Sequence, residues 1–337
     1  MPLGSVPRVG DGGGMGHVIA VMPASGGVGA TTFAAVLAVR AAESGQPVVA
    51  VDLDRFGGRL DVVLGVEQEE GWRWDHLGAV AGVVDGAGLA RELPRVGALP
   101  VLSGAGVGAA ARPSRPPSVP GPRGPGEGER RWLDVVPDVV GGLAAAHGVT
   151  VLDLGRDGAT VEAAAPFVDA WVAVVGTGVP QLASAAVSVP LLRRHVDAAC
   201  ARGGRPLGAG VLRRPCEPWV VLRGARIEDD VADAVCDHLD IPVVARVRDD
   251  LRLVGDVTCG VAPGTRGRGA AVEAADELLL RLVSRPPVDL SLRPAPPGVG
   301  GPSPELQSSD RSESAESCGP TRPSVIPPGD EPWRWSA

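Results

Sequence analysis

Short apolar runs recur along the chain, with helix-length amphipathic stretches between them. His17 to Met22, Val48 to Asp52, Leu99 to Leu102, Val149 to Leu154, Trp171 to Gly176, Trp219 to Leu222 and Val243 to Val247 read as strands. Several are apolar at every position, as in a strand covered on both faces, rather than alternating. Thr31–Ser44, Arg131–His147, Pro180–Cys200, Glu228–Leu239 and Ala270–Val283 carry the spacing of helices. Strands that alternate with helices predict an α/β fold, a doubly wound and mostly parallel sheet flanked by helices, with right-handed crossovers.

Three segments fall outside this pattern. Residues 1–16 are Gly-rich and read as a flexible leader. Residues 109–129 are rich in Pro, Gly and Arg and read as a disordered surface insertion. Residues 286–337 are rich in Pro and Ser, with little that can enter a core, and read as a disordered tail. The folded part is expected to run over 17–285. The tail ends in Trp333-Arg334-Trp335, which reads as incidental composition or as a short docking motif. The same string stands at Trp72-Arg73-Trp74.

Composition narrows the function classes. Of 337 residues 44% are hydrophobic but only 3% aromatic, so the core must be built from Val, Leu and Ala. The net charge of -8 argues against a strong non-specific DNA binder, which would show a basic face. The five cysteines show no metal-ligand spacing and read as reduced thiols of the cytoplasm. Neither a signal-peptide pattern nor an apolar stretch of about 20 residues is seen.

The chemistry concentrates after the first strand. Ser25-Gly26-Gly27-Val28-Gly29-Ala30-Thr31-Thr32 has the shape of a phosphate-binding loop in the required strand–loop–helix context. Its glycines let backbone N–H groups converge on a phosphate, and the helix N-terminus adds partial positive charge. Yet all 32 basic side chains are arginine, so no lysine can be supplied from any segment. The second strand ends Asp52-Leu53-Asp54, and the run from Val149 ends at Asp153. Ligands bind at the carboxyl ends of strands in open α/β sheets. Acids there, beside a phosphate loop, suit magnesium coordination and the positioning of an attacking water.

The ordered set of loop, Asp52/Asp54, the Leu60–Gly65 run and Asp153 resembles the MinD/ParA class of deviant Walker ATPases, P-loop proteins of the SIMIBI type. Within it the chain is similar to the CpaE-like branch, through Gly26–Thr32, Asp52-Leu53-Asp54 with Gly57-Gly58, and Gly71-Trp72-Arg73-Trp74. Members of that branch often carry a receiver-like domain ahead of the first strand; it is expected to be absent here. The resemblance implies that Gly26, Gly27, Val28, Gly29, Ala30, Thr31 and Thr32 bind nucleotide phosphates. It implies that Thr31, Asp52 and Asp153 hold magnesium, and that Asp54 is the catalytic group that positions water. Arg248 and Asp249 fall in a loop that lies near adenine in that class. Arg156 and Asp157 fall in the loop that senses the γ-phosphate.

The departures set the functional expectation. Ser25 stands where the class has its signature lysine, Ala30 where it has the loop lysine, and the chain has no Asn for the adenine. Each lost charge-assisted contact removes about 1.5–3 kcal/mol, roughly one to two decades of affinity. A missing cation on the transferring phosphoryl group costs on the order of 10³–10⁵ in rate. Arg55 and Arg156 are candidate replacements, although a guanidinium needs a different approach path. ATP and magnesium are therefore expected to bind weakly, with little or no hydrolysis. The expectation is a positioning or scaffold protein for septum-site selection or pilus/secretion assembly. An active ATP-dependent dimer switch is the alternative. Partners are expected among that machinery, with a homodimer left open. A cytoplasmic protein recruited to membrane-associated machinery is expected, because no basic amphipathic helix follows Arg285 for direct membrane binding.

Overall fold

Residues at alternate positions of each central strand enter opposite apolar layers, which explains the unbroken apolar runs. The computed structural model describes residues 16–56, 59–78, 80, 82–104, 127–201 and 216–283, the side chains of 127–131 and 200–201 excepted. Within these residues lie β1 (His17–Pro23), α1 (Ala30–Glu43), β2 (Val48–Asp52), α2 (Leu60–Leu64), α3 (Gly86–Glu92), β3 (Arg95–Val96) and β4 (Leu99–Leu102). They continue with α4 (Glu127–Ala146), β5 (Val149–Asp153), α5 (Gly158–Ala164), β6 (Ala170–Gly176) and α6 (Val179–Ala201). β7 (Glu217–Gly224), α7 (Asp229–Leu239), β8 (Val243–Arg248), α8 (Leu251–Thr258) and α9 (Ala270–Val283) complete them.

The eight described strands form one sheet in the order β3-β4-β2-β5-β1-β6-β7-β8. Every pairing is parallel except β3 with β4. The doubly wound, mostly parallel sheet expected from the sequence is therefore present. Val18, Ala20, Met22, Val49, Val51, Leu152 and Trp171 face a layer that includes Val140 and Leu143 of α4 and Val189 of α6. Ile19, Val21, Val48, Ala50, Val151 and Trp219 face the opposite layer with Leu37 of α1 and Leu278 of α9. The two most deeply buried tryptophans thus serve opposite faces, and Val, Leu and Ala fill most of the rest.

The predicted strands and long helices fall within a few residues of the observed ones. α4 begins at Glu127, so the last residues assigned to the 109–129 insertion are helical. α4 and α6 run through Pro137 and Pro190, as the helical spacing of Arg131–His147 and Pro180–Cys200 requires in spite of the two prolines. The short helices α2, α3, α5 and α8, of five to eight residues, and the two-residue strand β3 are too short to show a period in the sequence. Residues 1–15, most of the insertion, Gly57-Gly58, and the tail with Trp333-Arg334-Trp335 lie outside the described residues. Among the described residues no helix is long and apolar enough to cross a membrane.

Candidate functional site

The loop after β1 meets the sheet where the order of strands reverses. β1 lies between β5 and β6, while the chain itself continues from β1 to β2 by way of α1. Crevices at the carboxyl ends of strands on either side of such a point are where open α/β sheets bind ligands. Val28 is buried and anchors the loop in the core, while Gly26 and Gly27 are exposed at its crest with open space around them. Gly27 and Gly29 have φ of 73° and 79°, conformations that cost a side-chain-bearing residue strain. Ala24 accepts hydrogen bonds from the hydroxyls of Ser184 and Ser188 on α6, which fixes the loop's origin. α1 has 14 residues, no acid in its first turn and no side chain capping its N-terminus, so its first N–H groups are left for a ligand.

Both positions that carry lysine in the resembled class are filled by small buried side chains. Ser25 is 6% exposed and its Oγ has no hydrogen-bond partner. Ala30 is 5% exposed and packs in the layer of α1 and α9. Neither residue brings charge to the loop.

The acids form a second part of the site. Asp52 and Asp153 are directly opposite each other in the β2–β5 register. Both are nearly fully buried. Asp52 is turned into the protein: its Oδ1 accepts from the N–H of Asp54, and its Oδ2 accepts from the Leu60 N–H and the Ser103 hydroxyl at 2.8 Å. Burial pushes the Asp52 carboxyl up to about 6 in spite of those bonds. Asp153 is pushed up to about 8 by burial first and by the Asp52 charge second, with the Thr31 hydroxyl acting the other way. Its Oδ2 has no hydrogen-bond partner. Asp54 is half-buried, accepts from the Phe56 N–H, and stands so close to Gly155 that a Cβ there would lie 2.7 Å from its Oδ1.

These residues fit a magnesium ion in part. A buried carboxylate oxygen without a partner and a hydroxyl beside it are oxygen ligands of the right hardness. Among the described residues no group of three His, Cys, Asp or Glu could hold a metal by itself. That agrees with the habit of Mg2+, which takes one or two carboxylates and completes its shell with water and substrate phosphate. Thr31 and Asp153 would hold it, with Asp52 opposite Asp153 as a further candidate whose oxygens also tie β2 to α2 and Ser103.

The candidate replacement cations lie elsewhere. The Arg55 guanidinium packs over the rings of Phe56 and Trp132, at 5.5 and 5.7 Å from their centroids. Arg156 is exposed and lines a cavity of about 410 Å³ with Val187, Leu191 and His195 of α6. The arginine that does reach the phosphate loop is Arg223, near the end of β7. A Cβ added to Gly29 would lie only 2.1 Å from its Nη1. Its Nε donates to Asp249 at 3.1 Å. Arg223 and Arg248 line a mostly apolar cavity of about 210 Å³ with Gly29, Thr32, Phe33 and Val247, closed on one side by α8. The structure thus brings Arg248 and Asp249 to the loop. Sequence reasoning missed Arg223, although a charged residue ending the apolar run Trp219–Leu222 at a carboxyl strand end was the available signal.

The sheet order and its flanking helices give this chain the fold seen in solved MinD/ParA-family structures. Three solved structures match over nearly their full lengths. A ParA family ATPase from Chlorobium tepidum is 16% identical, with a TM-score of 0.56, and the match covers 79% of this chain and 98% of that one. The septum site-determining protein MinD from Pyrococcus horikoshii, solved with Mg-ADP, is 16% identical with a TM-score of 0.53, over 79% and 96%. Cobyrinic acid a,c-diamide synthase from Mycobacterium smegmatis, with bound ADP and magnesium, is 20% identical with a TM-score of 0.53, over 80% and 96%. No protein-family model matches. Two Mycobacterium tuberculosis proteins, both described only as uncharacterised, are 38% identical over 94 residues. The match spans 28% of this chain and about a quarter, 26%, of each relative's length.

Proposed function

We propose that this chain is a MinD/ParA-like positioning or scaffold protein of the CpaE-like kind, serving septum-site selection or pilus/secretion assembly. It binds Mg-nucleotide weakly and turns it over slowly or not at all. The observation that carries this reading is the burial of Ser25 and Ala30 in the two lysine positions, beside a loop, helix N-terminus and acids arranged to receive a phosphate. Backbone amides and Thr31 give a phosphate and its magnesium somewhere to bind. The charge that would stabilise the transferring phosphoryl group is missing, which on general grounds removes on the order of 10³–10⁵ in rate. Its acts would then be those of surfaces, on partner proteins of the division or secretion machinery. Nucleotide would set conformation rather than drive cycles.

The alternative, an active dimer switch, would require Arg223, which stands against the loop, to act on the transferring phosphoryl group. Calorimetric titration with Mg-ATP and phosphate release from the same preparation separate the two. The scaffold reading expects binding in the micromolar-to-millimolar range with phosphate release at the buffer rate. Turnover that disappears in Asp54→Ala would establish the switch instead.

A further inference from the structure

Among the described residues, the arginine that stands against the loop lies on the side of β1 away from the acids. We propose that Arg223 is the phosphate-gripping cation of this pocket, holding the ligand without accelerating its reaction. The inference rests on the nucleotide reading above and assigns that site its positive charge.

Three observations carry it. First, reach: β7 is two strands from β1, with β6 between them. Strand spacing makes that about 10 Å, a gap that a long side chain can cross and a short one cannot. Arg223 does cross it, since its Nη1 occupies the space where Gly29 would carry a Cβ. Gly29, with φ 79°, is at once the N-cap of α1 and the seat of the guanidinium. Second, free valence: among the described residues Asp249 is the hydrogen-bond partner of Arg223, through Nε alone. Both terminal nitrogens of the guanidinium remain available, in the fork geometry that grips a phosphate. Third, setting: the guanidinium opens on the 210 Å³ cavity whose other charged members are Arg248 and Asp250. Asp250 is committed to capping α8 by accepting from the Arg252 N–H at 2.8 Å.

Sheet order explains why this charge supports binding and not turnover. Asp153 ends β5 and Asp54 follows β2, on one side of β1; Arg223 lies near the end of β7, beyond β6 on the opposite side. None of Asp52, Asp54 and Asp153 lines the cavity that Arg223 faces. The cation therefore approaches the phosphates from the side of the loop away from the acids.

The test compares wild type, Arg223→Ala and Arg223→Lys by calorimetric titration at fixed salt with Mg-ATP, Mg-pyrophosphate and adenosine. Melting curves check that each variant folds. The expected result for Arg223→Ala is a loss of about ten- to hundredfold in affinity for ATP and pyrophosphate, with adenosine unchanged. Arg223→Lys should recover part of the loss, as a point charge without the fork. Equal or tighter ATP binding by Arg223→Ala overturns the inference and makes Arg223 an obstruction, while the nucleotide reading survives. Equal losses for adenosine and ATP overturn it as well, in favour of a purely structural arginine. A wild type that binds neither ATP nor pyrophosphate at millimolar concentration overturns both.

Discussion

Asp153 ends β5 with one carboxylate oxygen unpartnered and the charge of Asp52 directly across the strand pair. Its carboxyl is held at about 8, above that of an aspartate in an unfolded chain. The folded chain therefore keeps a proton there that the unfolded chain has already lost. Stability falls as pH rises from the ordinary carboxylate range towards about 8. Melting temperature is expected to drop across that window in metal-free buffer, and Asp153→Asn should flatten the slope and melt higher at its upper end. Parallel slopes for the two proteins would contradict this. Magnesium held at this carboxylate would take the place of the proton, so its affinity should increase over the same window. A second residue-scale expectation concerns Gly29. Gly29→Ala meets both the left-handed backbone and the Arg223 guanidinium, and should lower stability by roughly 1–3 kcal/mol by urea titration.

Individual elements are tied to the site by a small number of contacts. Trp74 donates its indole N–H to the Asp52 carbonyl at 2.7 Å and packs edge-on against Trp132 of α4. Arg73, 4% exposed, donates to the carbonyls of Val66 and Glu69 and pairs with Asp61 of α2. The Trp72–Trp74 string is therefore a brace for the β2 strand end. Trp74→Phe keeps most of the ring but leaves a buried carbonyl unpaired, at about 1–3 kcal/mol in urea titration. Leu143→Ala in α4, a fully buried side chain, should cost about 2–5 kcal/mol by the same measurement. These elements also mark how far the sequence could be read. Strands such as β5 and β6 announce themselves because both faces are buried and every position is apolar. α8 does not, since it is eight residues long and Asp256, which pairs bidentately with Arg266, is its one buried residue.

At the scale of the whole molecule, the sheet order divides the site into two halves around β1. The acid half was legible in the sequence, because glycines and strand-end aspartates keep a fixed order along the chain. The arginine half was not, because Arg223 is about 190 residues from the loop and only the β1-β6-β7 neighbourhood brings them together. The same division gives the central claim its form: binding on one side of β1, and acids without a lysine on the other. It is tested most directly by identifying the nucleotide in the whole reaction mixture after the protein has been incubated with Mg-ATP. The account predicts that ATP is recovered intact, in equal proportion from wild type and Asp54→Ala. Recovery of ADP from the wild type, with ATP from Asp54→Ala, would contradict it.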